Sequence, residues 1–146
     1  MTSTLGKFNL QIERLINDLL KVFPSNIDIK LFKEKFLIAK SANPQLILLT
    51  FLKYGYPYKN KIMDKDEDFF LSDNLTKEIL NNEDLKKDIK ENGQLIGENI
   101  DDEYILNKAL NLKDLWKQMD ENDHEVIWNY FKVLIVLCER YVNEKR

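Results

Sequence analysis

The chain has only one cysteine and one histidine among its 146 residues. Cys138 has no second thiol to pair with, so an intramolecular disulfide is excluded, and its place in an apolar run indicates a reduced, buried thiol. His124 lies fourteen positions earlier on the same predicted helix, about four turns away, which is too far for a nucleophile–base pair. The same two residues are too few for a zinc site built from nitrogen and sulfur ligands.

Long apolar runs, clustered glycines and a large excess of one charge are also missing. The longest nearly apolar run covers 133–138, whereas crossing a bilayer takes about 20 residues. The first ten residues, MTSTLGKFNL, lack the basic and then apolar pattern of a secretory signal. The four glycines, at 6, 55, 93 and 97, form no phosphate-binding loop. A net charge of −3 provides no global attraction for nucleic acid or an anionic membrane, so we expect an intracellular protein that is neither secreted nor membrane-bound.

What the chain does contain is a segment near its C-terminal end, 123–142, with a strong helical pattern of apolar residues. Apolar residues recur there at three- and four-residue steps, at Ile127, Tyr130, Phe131, Leu134, Leu137, Cys138 and Tyr141. The opposite side is apolar as well, with Val126, Val133, Ile135 and Val136. Because a helix that is hydrophobic nearly all round favours cover on most sides, we predict a central helix with other helices packed around it.

The remaining pattern predicts a single all-α domain over 1–146, a bundle of about six to eight helices. The hydrophobic share of 44% argues against disorder. The first predicted helix is 4–22, followed by one after a cap at Ser25, Asn26 or Asp28 with Leu31, Phe32, Phe36 and Ile38 inward, and by a buried one from Asn43-Pro44 to a left-handed Gly55. The middle is predicted to contain a short helix at 59–63, a turn of helix at 66–71 and amphipathic pieces at 75–80 and 83–90. Two helices, 102–110 and 112–119, precede the last one. A loop between Gly93 and Gly97 is expected to separate two of them.

A segment of alternating tyrosine and lysine, KYGYPYKNK, is the first candidate site. Tyrosine rings can stack on bases while ammonium groups meet phosphate, so Lys53, Lys59, Lys61 and Lys65 are candidate nucleic-acid contacts around Tyr54, Tyr56 and Tyr58. The carboxylates that follow weaken the positive potential, and tyrosines beside a glycine–proline turn more often pack a loop onto a core or meet a protein. Protein contact is therefore the leading interpretation and nucleic acid the alternative.

The acidic strip DKDED places Asp64, Asp66 and Asp68 at the first three ligand positions of a calcium loop. The pattern then fails, because Phe69 stands where the loop needs glycine and Leu75 where it needs glutamate. An acidic helix start whose Phe69 and Phe70 dock onto the core is favoured, and no metal is predicted. The strip joins the tyrosines as a candidate partner surface.

Trp116 is the second candidate for a partner contact, because large aromatic residues anchor interfaces as well as cores. Burial is nevertheless the default expectation for both Trp116 and Trp128. Paired carboxylates are the only acid–base groups available, and none has the apolar surroundings that would raise its pKa usefully. We therefore predict no catalytic residue and no cofactor.

Two stretches, Lys53 to Asp73 and Asp114 to Tyr141, resemble an uncharacterised family of small helical proteins from nucleocytoplasmic large DNA viruses. The resemblance is carried by Tyr56-Pro57-Tyr58-Lys59, Asp66-Glu67-Asp68-Phe69-Phe70-Leu71, Leu115-Trp116-Lys117 and Ile127-Trp128. It covers about a third of the chain. It implies a viral context, namely host cytoplasm, viral factory or virion, and it transfers no catalytic residue because no activity is assigned to the family.

The resulting expectation is a non-enzymatic viral accessory or virion-associated protein that acts through protein–protein contact. The partner is a viral or host protein, or a second copy of the chain. A nucleic-acid-associated protein that uses the lysine and tyrosine segment 53–65 is the alternative.

Overall fold

The computed structural model describes residues 3–95 and 100–145, and over these residues the chain forms nine α-helices and no strand. The helices, with one 3-10 turn at Tyr56–Tyr58, are α1 Thr4–Val22, α2 Ile27–Ala42, α3 Leu46–Tyr54, α4 Lys59–Met63, α5 Glu67–Phe70, α6 Asp73–Asn81, α7 Glu83–Leu95, α8 Asp102–Gln118 and α9 Glu121–Glu144. The predicted all-α fold class is confirmed. None of these helices combines the length and the hydrophobicity that crossing a membrane requires.

The chain groups into two compact units. Unit 1 consists of 1–64 together with 125–146, and unit 2 consists of 65–124, in each case as far as the residues are described. The boundary falls inside α9, whose first turn belongs to unit 2. The expectation of one domain over 1–146 stays a prediction.

Most helices begin at a polar side chain that accepts a hydrogen bond from an otherwise unpaired amide of the first turn. The Ser3 hydroxyl accepts from the Gly6 amide at 3.0 Å, and the Asn26 side chain accepts from the Ile29 amide at 3.0 Å. Side chains in the same role start α5, α6 and α8, at Asp66, Ser72 and Asp101. These short-range bonds explain why the sequence locates the helix starts well.

One buried cluster of unit 1 is built from α1, α3 and α9. Its buried members are Phe8, Leu48, Leu134, Leu137, Cys138 and Tyr141. Half-buried residues pack around them, among them Phe51 of α3 and Phe131 of α9, whose rings lie 6.4 Å apart. α9 provides four of the six buried residues, so it is the main contributor to this core.

Two hydrogen bonds show that α1 and α9 run antiparallel. The Thr4 hydroxyl donates to the Glu144 carboxylate at 2.6 Å, which brings the start of α1 to the end of α9. The Tyr130 hydroxyl donates to the Asp18 carboxylate at 2.5 Å, near the other end of the pair. The two bonds join α1 to α9 at two levels that are fourteen residues apart on each helix.

Other helices pack against one side of α9 only, which corrects the expectation that most of its sides would be covered. Of the four apolar residues opposite the core side, only Ile135 is buried. Val126, Val133 and Val136 are 43%, 40% and 46% exposed. Periodicity identifies an apolar side of a helix, but it does not provide a neighbour to cover that side.

α2 also buries less than its sequence suggests. Phe36 is buried as expected, whereas Leu31, Phe32 and Ile38 are exposed instead of pointing inward. These residues spread over too wide an arc of the helix for one packed face to cover them all. The result is an exposed apolar face that also includes Ile27.

α3 begins at Leu46, shortly after the predicted start at Asn43-Pro44, and the Asn43 side chain accepts a hydrogen bond from the Gln45 amide at 3.1 Å, as predicted. The helix is half-buried, which corrects the prediction of a buried one. Only Leu48 is fully buried, and Leu49 is exposed. Gly55 follows the helix as predicted, but its φ of −93° is not left-handed. Its role is close packing instead, since a Cβ there would lie 2.9 Å from the Phe51 ring.

In unit 2 two predicted interruptions do not occur. α8 runs unbroken through Asn111, where two helices were expected, and α7 continues through Gly93, where a loop was expected. An asparagine or glycine inside a helix lowers its stability by no more than about 1 kcal/mol. Ion pairs and packing offset a loss of this size. Gly97, the other predicted end of that loop, lies outside the described residues.

Lysines tie the helices of unit 2 together. The Lys86 ammonium lies 3.3 Å from the Asp102 carboxylate and links α7 to α8. The Lys113 ammonium lies 3.5 Å from Asp73 and donates to the Thr76 hydroxyl at 3.3 Å, which links α8 to α6.

Candidate functional site

The tyrosine and lysine segment is attached to α9 through Glu139. The Tyr56 hydroxyl and the Lys59 ammonium both donate to the same carboxylate oxygen of Glu139, each at 3.1 Å. The hydrogen bond and the charge of Glu139 raise the pKa of Lys59, and the bonds from Lys59 and Tyr56 lower the pKa of Glu139. The Tyr56 ring also packs against the core of unit 1.

These contacts bear on both interpretations of the segment. Lys59 is engaged with a carboxylate, whose negative charge opposes binding of a phosphate at this position. Tyr54 and Tyr58 are half-buried, and Lys53 and Lys61 are exposed. Lys65 belongs to unit 2 and has a positive φ of 53° in the turn before α5. Nucleic-acid binding here stays a prediction, with the Glu139 pair weighing against it.

The acidic strip forms the start of α5. Asp66 accepts a hydrogen bond from the Phe69 amide at 3.1 Å, which is the structural use that the sequence favours for it. Asp64 and Asp68 are exposed. Phe69 and Phe70 are half-buried and meet edge to face with ring centres 5.2 Å apart. Their use as a partner surface is untested and stays a prediction.

Trp116 is engaged within unit 2. Its indole N–H donates to the Glu67 carboxylate at 2.5 Å, and its ring stacks on that of His124 with centroids 3.9 Å apart and planes 4° apart. The His124 Nε2 lies 2.8 Å from the Trp116 carbonyl oxygen. The indole is half-buried, so α5, α8 and the first turn of α9 are joined through one side chain. This use is structural, and a partner contact through Trp116 stays a prediction.

Besides Glu139, two further groups on α9 have shifted pKa values. Burial, followed by the hydrogen bond to Asp18, raises the pKa of Tyr130 to about 12. Burial, followed by the charge of Glu139, raises the pKa of Cys138 to about 12. The thiol is fully buried and protonated at neutral pH, which is the state that the sequence predicts.

A groove between α1 and α9 is the site that the sequence interpretation missed. It has a volume of about 500 Å³. Its aliphatic floor is made of Leu10, Val133, Val136 and Leu137, and its polar lining consists of Lys7, Gln11, Arg14, Lys132 and Arg140. Leu10 and the two valines are exposed, so the floor is open to a ligand. We call this surface the α1/α9 groove.

Every charged side chain that lines the α1/α9 groove is positive, although the chain as a whole carries a net charge of −3. Within residues 3–95 and 100–145, none of these four cations takes part in an ion pair. Among the carboxylates nearby in sequence, Glu13 pairs with Lys40 and Glu139 with Lys59. Asp18 pairs with Lys21 and accepts a hydrogen bond from Tyr130, and Glu144 accepts one from Thr4. None of these carboxylates lines the groove itself. The groove is thus a local positive site.

The exposed face of α2 is another apolar surface of unit 1, and it differs in charge. Its neighbours Asp28, Lys30, Lys33, Glu34 and Lys35 have both signs. The α1/α9 groove combines concavity, an apolar floor and charge of one sign, as small ligand and peptide sites commonly do. It is the strongest candidate site among the described residues.

A sequence signal for the groove did exist. Lys7, Leu10 and Arg14 fall at three- and four-residue steps on one side of α1. On α9, Lys132 and Arg140 flank the apolar side that contains Val133 and Val136. Only the pairing of the two helices shows that these patterns share one surface.

No protein-family profile matches the chain, and comparisons with curated proteins and with solved structures found no similar protein.

Proposed function

We propose that the protein is a non-enzymatic binding module that holds a segment of a partner protein in the α1/α9 groove. The observation that carries this proposal is the uncovered floor of Leu10, Val133 and Val136 in a concave site. Exposed aliphatic surface costs free energy in water, about 25 cal/mol for each Å². An apolar side chain that binds there removes this surface from water and so stabilises the complex. A concave site encloses more of the bound side chain than a convex one, so more apolar surface is buried.

Self-association through the groove is disfavoured on charge. Two copies that face each other across a twofold axis would bring the same four cations together, and like charges at an interface are repulsive. The partner is therefore a different protein, in agreement with the first of the sequence-based expectations.

Nucleic acid is the second candidate, because four cations can also meet phosphates. The lining of the groove contains no aromatic ring among the described residues, and base stacking on aromatic rings is the usual source of affinity for single strands. An aliphatic floor suits apolar side chains better than it suits bases.

The test compares the wild type and three variants as baits in extracts of cells that express the protein, with quantification by mass spectrometry. Val136→Asp places a charge in the floor, Val126→Asp makes the same change on the same helix outside the groove, and Phe32→Asp changes the face of α2. We expect a partner that the wild type, Val126→Asp and Phe32→Asp retain and that Val136→Asp loses. Loss with Phe32→Asp instead would move the interface to α2 and contradict the proposal.

A viral accessory or virion-associated role belongs to the same proposal. It rests on the resemblance of the Lys53–Asp73 and Asp114–Tyr141 stretches to the viral family. It directs the search for the partner to infected cells, viral factories and virions. Recovery of a groove-dependent partner from uninfected cells alone would count against it.

A further inference from the structure

We infer that the ligand of the α1/α9 groove is an acidic amphipathic helix that carries carboxylates at both ends of a short apolar stripe. This inference rests on the proposed function and adds the chemistry of the partner. It follows from the positions of the four cations around the floor, which the antiparallel pairing of α1 and α9 determines.

The cations lie in two pairs, one at each end of the groove. The Thr4–Glu144 and Asp18–Tyr130 bonds align α1 with α9 so that paired positions add up to the same number, 148. In this alignment Lys7 is level with Tyr141, one position from Arg140, and Arg14 is level with Leu134, two positions from Lys132. Each end of the groove therefore presents two positive charges, one from each helix.

The spacing between the ends matches two turns of a helix. Lys7 and Arg14 are seven residues apart, and Lys132 and Arg140 are eight apart. At 1.5 Å per residue these separations are about 10–12 Å. Leu10, Val133 and Val136 lie between the two pairs in the sequence as well as in the groove. An extended strand would cover the same distance in about three or four residues and would turn every second side chain away from the floor.

A helix that fits this site has a definite sequence pattern. Acidic residues stand at its first position and seven positions later, and apolar residues stand three and four positions after the first acid, which places all four on one side. The apolar pair contacts the valines and Leu10, and each acid meets one of the cation pairs. This is helix-in-groove recognition with the charges as the source of orientation and selectivity.

Other occupants fit the site less well. A flat anionic membrane cannot reach the floor of a concave groove, and a single-stranded nucleic acid would leave the aliphatic floor without a partner. A second copy would oppose cations to cations. These occupants are outcomes of the experiment described next.

The experiment is a selection from a display library of helical peptides of about 18 residues, long enough to extend past both ends of the groove. The apolar pair is constant, and the flanking positions encode Glu, Gln or Lys. Peptides are selected on the wild-type chain after depletion on Val136→Asp. The selected peptides and their Gln and Lys versions are then measured by fluorescence anisotropy at two salt concentrations.

We expect Glu at the two flanking positions. The Gln version should bind about tenfold more weakly, because up to four surface ion pairs are lost, and the Lys version should not bind. On the double variant Arg14→Glu with Arg140→Glu, each end of the groove keeps one lysine and gains one carboxylate, so the preference for the Glu version over the Lys version should disappear. Both arginines are exposed, and an unchanged thermal unfolding curve verifies that this variant is folded.

The outcomes separate this inference from the proposed function. Enrichment of Gln or Lys at the flanking positions, with binding still lost in Val136→Asp, overturns the acidic partner and leaves the groove as a protein-binding site. No peptide that depends on Val136 overturns both. Groove-dependent binding of a labelled single-stranded oligonucleotide or of phosphatidylserine vesicles, in the absence of peptide binding, replaces the helix with that ligand class and also overturns both.

Discussion

The two sides of α9 have similar hydrophobicity but opposite surroundings. On one side Leu134, Leu137 and Cys138 are buried against α1 and α3. On the other side Val133 and Val136 remain exposed, at the floor of the α1/α9 groove. The difference shows that apolar character decides where a helix can be covered, while the neighbouring helices decide where it is covered.

Charge distinguishes the two sides as well. Lys132 and Arg140 flank the exposed valines and, with Lys7 and Arg14, form the positive lining of the groove. A solvated cation beside an apolar strip opposes its burial within the same chain, because burying the strip would also desolvate the cation. The same arrangement suits an external ligand that brings carboxylates of its own.

Leu134→Ala tests the covered side and should have the largest effect. Leu134 is fully buried, so truncation leaves a cavity and should lower the free energy of unfolding by about 2–5 kcal/mol. The matched change on the open side, Val136→Ala, should lower it by less than about 0.5 kcal/mol. Urea unfolding followed by circular dichroism measures both. Equal losses would mean that both sides of α9 are covered in solution.

Gly55→Ala sharpens the comparison at the edge of the covered side. A Cβ at Gly55 would lie 2.9 Å from the ring of Phe51, which itself packs against the core. We expect a loss of about 1–3 kcal/mol from overpacking, measured by thermal unfolding. The left-handed strain that usually penalises alanine after a helix is absent, since φ is −93°. A neutral effect would show that Phe51 moves aside freely.

Tyr130→Phe tests the bond that fixes the register of α1 and α9. We expect a loss of about 1–2 kcal/mol at neutral pH, because the hydrogen bond to the Asp18 carboxylate disappears. Its pKa is raised from 10.0 to about 12 in the folded chain. Since the folded state then holds this proton more tightly than the unfolded state, stability declines as the pH rises from about 10 to about 12.

The variant should therefore lose less stability than the wild type over that alkaline interval. Cys138, whose pKa is raised from 9.0 to about 12, contributes to the decline in both proteins, so the difference between them isolates Tyr130. Urea unfolding at several pH values provides the measurement. Parallel pH profiles would contradict the assigned role of Tyr130.

Val136→Asp and Val126→Asp should have the smallest effect on folding. Both positions are exposed, so each change should alter the free energy of unfolding by less than about 1 kcal/mol. Thermal unfolding measures this change. It also shows whether both variants are folded and can be used in the binding experiment. A large destabilisation by Val136→Asp alone would show that something covers the groove in solution.

Local patterns were enough to locate most helices. Asn26 and Asp66 start the helices that their positions predict, because a side chain reaches the amides of the next turn without help from distant residues. Local patterns failed at two residues that only weakly disfavour a helix and were therefore wrongly predicted to interrupt one. Asn111 does not end α8, and Gly93 does not end α7. The free energy that each residue costs the helix is smaller than the free energy that the helix gains by continuing.

The candidate site was harder to predict than the fold. The tyrosines and the acidic strip are conspicuous in the sequence, yet Tyr56 and Asp66 have structural partners in Glu139 and the Phe69 amide. Lys7 and Arg140 are inconspicuous, because 133 positions separate them and each looks like an ordinary surface cation. Their proximity is a long-range property of the α1–α9 pair.

The sequence by itself determined that the chain is helical, where most helices begin, and that α9 is apolar on two sides, because caps and helical periodicity act over a few residues. The tertiary structure alone decided which side of α9 is covered and which residues line the groove. Those outcomes depend on how α1 and α9 pair, through contacts such as Thr4 with Glu144 that join opposite ends of the chain. No local pattern encodes such a pairing.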